Sequence, residues 1–145
     1  MAEQEGTVGG PSPRRPPNPG RPGVIGQRLL SDRPVSLYRI TRAAVPVARD
    51  FYSAKQLGDP PIGNEIRHPE LHESISMWTT ANAAKRFAVG NRKLGKYVTR
   101  VMVTPHRQRT EVQIHPTPHT PGHCDVWGVP EVLLALAGSP AEKVA

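Results

Sequence analysis

Cysteine and long apolar segments are both scarce in this chain. Cys124 is the only cysteine among 145 residues, so no disulfide can form within the chain. No segment approaches the roughly 18 apolar residues of a membrane-spanning helix, and the N-terminus lacks the apolar core of a signal peptide. Hydrophobic residues make up only 37% of the sequence. These absences predict a soluble cytoplasmic protein with a small core and no membrane partner.

Several common catalytic motifs are also missing. The sequence contains no GxGxxG, no GxxxxGK[ST] and no GxSxG. Their absence argues against a Rossmann dinucleotide fold, a P-loop nucleotide site and α/β-hydrolase chemistry.

The histidines do not predict a metal site. His115, His119 and His123 are spaced by four residues, which would align them on a helix. The prolines between them exclude that helix, and no CxxC or HExxH motif is present. We therefore predict no metal.

Cys124 follows His123 on an expected strand, so the two side chains point to opposite faces. His119 or His106 remains open as a partner for Cys124, but an inert buried thiol is the simpler prediction.

The composition changes along the chain. Seven of the 17 prolines precede Val35, among many glycines and arginines, and this stretch has no burial pattern. It predicts a disordered tail over residues 1–34. We expect one α+β domain over residues 35–138 and a frayed end over residues 139–145.

The most regular pattern runs from Ser74 to Val103. Residues 74–78 alternate polar with apolar, as in a half-buried strand. Thr79 and Thr80 offer an N-cap for a helix that Gly90 is expected to end in a left-handed conformation. Tyr97–Val103 is rich in strand-forming residues. The stretch therefore predicts a strand, a short helix, a basic turn and a second strand.

Weaker patterns flank this core. Residues 35–41 and the sequence TEVQIH at 110–115 predict two more strands, and residues 123–128 predict a last short one. Residues 130–137 predict a helix that opens on Pro130 and is closed by Gly138. Together they predict a small, mostly antiparallel sheet with short helices.

The chain is basic, with a formal net charge of +7. Such a charge favours a nucleotide, a nucleic acid or an acidic protein as partner, although a merely solvated basic surface is an equal alternative. Eight lysines and arginines lie between Lys85 and Arg109 without an acid among them. A binding module would present them as one continuous positive face, with Tyr97 available to stack on a base.

The order of elements resembles the NAD-binding core of ADP-ribosyltransferase-like proteins, which include bacterial toxins. The residues that carry the resemblance are Leu37-Tyr38-Arg39, then Ser74-Ile75-Ser76 running into Thr79-Thr80-Ala81, then a late acid. It implies that NAD is the substrate, that Arg39 binds its phosphates, and that Ser76 lines the nicotinamide pocket. It also implies a catalytic glutamate, which falls on Glu111 in Glu111-Val112-Gln113. The family's triplet has the reverse order, so Asp125 is a second candidate.

Three functions therefore remain open. One is an NAD-dependent ADP-ribosyltransferase-like enzyme or toxin, with Arg39, Ser76 and Tyr97 contacting NAD and Glu111 or Asp125 in catalysis. The second is a non-enzymatic basic module for a nucleic acid or an acidic protein. The third is a small protein whose charge only solvates it. The chain is also similar to small uncharacterised bacterial proteins that share an LYR start and a VWG end.

Overall fold

The computed structural model describes residues 23–138 and 141–144. The strands are β1 Val35–Thr41, β2 Ile75–Trp78, β3 Tyr97–Val103, β4 Gln113–Pro116, β5 His123–Trp127 and β6 Glu142–Lys143. The α-helices are α1 Pro69–His72, α2 Ala81–Gly90, α3 Pro105–Thr110 and α4 Pro130–Ala135. Short 3₁₀ turns lie at Ala48–Phe51, Gly63–Glu65 and Arg92–Leu94. None of the helices in these described ranges has the length and apolar character needed to cross a bilayer.

The strands form one six-stranded sheet in the order β4-β5-β2-β1-β3-β6, and every pairing is antiparallel. The predicted α+β fold is therefore confirmed. β1 and β3 pair along their full lengths, from Val35 with Val103 to Thr41 with Tyr97. In contrast, β1 and β2 pair only at Tyr38 and Trp78. The two central strands therefore share fewer backbone residue pairs than any other neighbours in the sheet.

Each face of the sheet has its own core. Leu37, Met77 and Val101 point to one face, which we call the α4 face because Leu133 of α4 packs on it together with Phe51. Its apolar positions alternate with those of the other face, as the period of two residues requires.

The opposite face is covered only in part. Ile40, Trp78 and Val98 point to this side, which we call the α2 face because Ala84 and Ala88 of α2 pack on it. Phe87 of α2 adds a tilted contact with Trp78 at a centroid distance of 4.9 Å, while 43% of its surface stays exposed.

The predicted strand–helix–strand core is present with small shifts. The hydroxyl of Thr80 accepts a hydrogen bond from the Ala83 amide and caps α2, as expected. Gly90 is not left-handed, since α2 runs through it and ends at Asn91 with φ of −141°. Gly95 instead has φ of +150°, and a Cβ there would overlap the Thr41 carbonyl. Glycine at this position therefore lets the basic turn approach the end of β1.

The predicted strand TEVQIH at 110–115 is wrong in its first half. Residues Pro105–Thr110 form α3, and β4 begins only at Gln113. Thr104 caps this helix by accepting from the Arg107 amide, and Pro105 occupies its first position. The Thr104 cap and Pro105 together favour the start of a helix directly after β3.

Both ends of the domain differ from the prediction. Of the expected tail, residues 1–22 lie outside the described residues, and residues 23–34 have no regular secondary structure. They are nevertheless attached, because buried Gln108 accepts from the Ser31 amide and donates to the Arg33 carbonyl. At the other end, β6 pairs with Tyr97 and Val98 where fraying was expected, and residues 139, 140 and 145 lie outside the described residues.

Candidate functional site

Arg39 lies where β1 and β2 separate. Its Nε donates to the Asp50 carbonyl at 2.8 Å, and its Nη1 donates to the Ser76 carbonyl at 2.9 Å. The guanidinium thus links the two strands beside their single backbone pair. Burial lowers the pKa of Arg39 to about 10, opposed by the nearby charge of Asp50. Arg39 is still a cation at neutral pH, and it is fixed in place by its carbonyl partners.

Arg39 also lines a cavity of about 310 Å³ at the end of β1. Arg42 and Arg49 line the same cavity, together with Asp50 and Asp59. The Asp50 carboxylate is already engaged, because its two oxygens accept from the amides of Arg42 and Val47. The guanidinium groups of Arg42 and Arg49 donate to no partner among the described residues. This cavity, which we call the arginine cavity, therefore offers two or more cations to an anion.

A second cavity of about 330 Å³ lies at the start of β3. Arg92, Lys96 and Lys143 line it beside the end of α2. A shallow depression that contains Arg92, Lys93 and Leu94 shares Leu94 with the arginine cavity and Arg92 with the second one. The three depressions therefore adjoin one another. We call the cations along them the basic track: Arg39, Arg42, Arg49, Arg92, Lys93, Lys96 and Lys143.

The expected continuous face from Lys85 to Arg109 does not form. Lys85 pairs with Glu142 at 2.6 Å, and Arg100 donates to the Ser36 hydroxyl on the α2 face. Arg107 and Arg109 lie on α3, at the far end of β3 from Lys96. A seven-residue strand spans about 20 Å, so the run is divided between two ends of the domain.

The residues of the predicted NAD site fall into separate groups. Ser76 of β2 pairs directly with Asp125 of β5, so their side chains share the α2 face. Arg39 points to the α4 face, although it contacts the Ser76 carbonyl. The expected cleft that holds Arg39 and Ser76 side by side is therefore not formed.

The two remaining residues of that prediction lie apart. Glu111 caps the end of α3, is exposed and pairs with Arg107 four residues earlier. Tyr97 is half-buried and lies opposite Thr41, on the face to which Arg39 points. Of the two candidate acids, Asp125 is the one that adjoins Ser76.

Asp125 belongs to a network of side chains on the α2 face. The Thr117 hydroxyl donates to Asp125 Oδ2 at 3.0 Å, and Thr117 Oγ1 lies 2.6 Å from His123 Nδ1. Only 9% of Asp125 is exposed. Burial lowers the pKa of His123, while the Asp125 charge acts in the opposite direction. We call these three residues the Asp125 network.

The other histidines and the cysteine do not join it. Cys124 is buried on the α4 face, and burial together with the Asp125 charge raises its pKa to about 11. Such a thiol stays protonated and is a poor nucleophile at neutral pH. Within residues 23–138 and 141–144, no three His, Cys, Asp or Glu side chains converge as metal ligands do.

Sequence patterns pointed to only part of these sites. Arg42, Arg49 and Lys143 were not singled out, because they join Arg92 and Lys96 only through the pairing of β1, β3 and β6. Thr117 lies in a proline-rich loop and gave no signal. A hint for His123 and Asp125 existed, since residues two apart on a strand share a face.

Comparisons with known proteins give no further information about the site. No family model, no curated protein and no solved structure matches this chain.

Proposed function

We propose that this protein is a binding module for nucleic acid that contacts the phosphates of a strand along the basic track. The observation that carries the proposal is the adjacency of three cation-lined depressions, of which the middle one shares Leu94 with one neighbour and Arg92 with the other. A single nucleotide would fill one of them, whereas a polymer with a phosphate at every residue matches their succession. Arginine and lysine are the residues that neutralise such phosphates.

The charges of the track support this choice. Of the acids that line the depressions, Asp50 already accepts from backbone amides. The side chains of Lys96, Lys143 and Arg92 donate to no partner within the described residues. Unpaired cations at adjoining sites can replace the counterions condensed on the phosphates of a nucleic acid, and the release of those counterions is the main source of sequence-independent affinity.

The test is the salt dependence of binding to a fluorescent single-stranded oligonucleotide. Replacing Lys96 and Lys143 by glutamine should weaken binding and reduce the slope of log K against log salt by about 1.4, or about 0.7 per lost phosphate contact. Replacing Arg107 and Arg109 by glutamine removes the same charge at the far end of β3 and should leave the slope nearly unchanged. Equal effects of the two pairs would contradict the track. Displacement of the oligonucleotide by polyglutamate at low concentration would point to an acidic protein instead.

A second candidate function is the NAD-dependent ADP-ribosyltransferase-like activity that the sequence resemblance implies. One contact favours it: Arg39, on the wall of the arginine cavity, donates to the carbonyl of Ser76, and Ser76 is the direct partner of Asp125. In this candidate the NAD phosphates would bind in the arginine cavity, and Asp125, on the opposite face of the sheet, would supply the carboxylate that stabilises an oxocarbenium-like transition state. The reacting ribose would have to reach the α2 face past the Arg39 bridge.

The measurement for this candidate is nicotinamide release from NAD. If Asp125 is the catalytic acid, Asp125→Asn should lower the rate by about a hundredfold or more, and Glu131→Gln, at an exposed position of α4, should not. A loss in Glu111→Gln alone would move the role to Glu111. Absence of release, with no thermal shift by NAD, would remove this candidate and leave the nucleic-acid proposal untouched.

A further inference from the structure

The Asp125 network determines which nitrogen of His123 carries the proton. An ionised carboxylate only accepts hydrogen bonds, so the single proton of the Thr117 hydroxyl is donated to Asp125 Oδ2. The Thr117 oxygen then acts as acceptor toward His123, and the Nδ1 atom at 2.6 Å must be the donor. In the neutral ring this leaves Nε2 without a proton.

The other ring nitrogen of His123 is not engaged by the described part of the chain. Nε2 has no hydrogen-bond partner among the described residues, and the His123 side chain is only half-buried. The ring is held by an edge contact with Trp78 at a centroid distance of 5.3 Å. His115, which pairs with Asp125 across β4 and β5, has partners at both nitrogens, namely the Gly26 carbonyl and Gln113. His123 is therefore the histidine of this face with a nitrogen available to a ligand.

We propose that His123 Nε2 is a proton acceptor for a hydroxyl of a ligand bound on the α2 face, and that Thr117 and Asp125 are its positioning residues. The hydroxyl O–H bond breaks, an Nε2–H bond forms, and the bonding electron pair stays on the oxygen. The imidazolium keeps its Nδ1–H on Thr117, and the charge of Asp125 stabilises it. A ribose hydroxyl has the required chemistry, and the site is separate from the basic track.

The surroundings agree with a neutral base. Burial lowers the pKa of His123, so the ring is unprotonated at neutral pH. Trp78 from β2 and Thr117 from the β4–β5 loop do not titrate in this range, and Asp125 is the charged group whose field acts on the ring. A general base must be unprotonated at the working pH, and it is most effective when its pKa lies near that pH.

Nitrogen-15 NMR of the histidine rings in the full-length protein tests the network without any assay of activity. The wild type should show His123 as the Nδ1–H tautomer at pH 7.5. Thr117→Val removes the hydroxyl at nearly constant volume and should convert His123 to a mixture with Nε2–H, whereas Thr117→Ser should retain the wild-type tautomer. An Nε2–H tautomer in the wild type, or no change in Thr117→Val, would overturn the assignment.

Titration with ADP-ribose tests the acceptor role. The ribose hydroxyls should shift the Nε2 resonance of His123 in the wild type and leave the ring nitrogens of His115 in place. Shifts confined to residues of the basic track, or none at all, would overturn the acceptor role. The nucleic-acid proposal would stand or fall separately, on its salt slope.

Discussion

The basic track and the Asp125 network are built in opposite ways. The track draws its cations from β1, the turns beside it, the turn after α2 and β6, and the side chains of most of them donate to no group among the described residues. The network is three side chains within nine residues of one hairpin, held by hydrogen bonds of 2.6 and 3.0 Å beside a carboxylate that is only 9% exposed. The first suits a salt-dependent ligand that tolerates movement, and the second suits a chemical step that needs fixed geometry.

Arg39 is the strongest test of the difference between the track and the network. It lines the arginine cavity, but its guanidinium is held by two hydrogen bonds to backbone carbonyls. Arg39→Ala leaves the carbonyls of Asp50 and Ser76 without their donor, and we expect it to lower the free energy of unfolding by about 3 kcal/mol. Arg42→Ala in the same cavity should change it by less than about 0.5 kcal/mol. Urea unfolding of both variants measures the difference. Equal losses would show that Arg39 is an ordinary member of the track.

Thr117 tests whether the hydrogen bonds of the Asp125 network contribute to stability. Thr117→Val removes the acceptor of His123 and the donor to Asp125, at a cost of about 1.5 kcal/mol in the free energy of unfolding. Thr117→Ser keeps the hydroxyl and should cost clearly less. The same urea experiment compares them, and a loss in Thr117→Val no larger than in Thr117→Ser would contradict a stabilising role of the hydroxyl hydrogen bonds.

Local patterns in the sequence were sufficient for the strands and helices that form the scaffold. β1, β3 and α2 follow from alternation, strand-forming residues and the Thr80 cap. The short strand β6 could not be found in this way, because Glu142 and Lys143 become a strand only by pairing with the edge of β3. Helix α3 was missed although Thr104 and Pro105 carry the usual signals of a helix start.

The candidate sites depend on register and on contacts that are distant in sequence. Asp125 and Glu111 were both candidates for the acid beside Ser76. Only the pairing of β2 with β5, which places Asp125 opposite Ser76, decides between them. The alternation of β1 places Arg39 on the other face, and no local pattern shows that its guanidinium reaches back to the Ser76 carbonyl. The track likewise exists because Gly95 lets the basic turn approach the end of β1.

The smallest expected effect is the pH dependence of stability that His123 contributes. Burial lowers its pKa in the folded state, while the unfolded chain has the ordinary value of about 6.5. Between these two values the unfolded state binds more protons. The contribution of His123 to the free energy of unfolding is therefore fully present above about pH 6.5 and is lost as the pH falls. His123→Gln should flatten this part of the profile, and His106→Gln, at an exposed position of α3, should retain it. Urea midpoints at pH 5.5, 6.5 and 7.5 measure the difference. An unchanged profile in His123→Gln would mean that the ring gains as much from the Asp125 charge as it loses by burial, and His123 would then be partly protonated and a weaker proton acceptor.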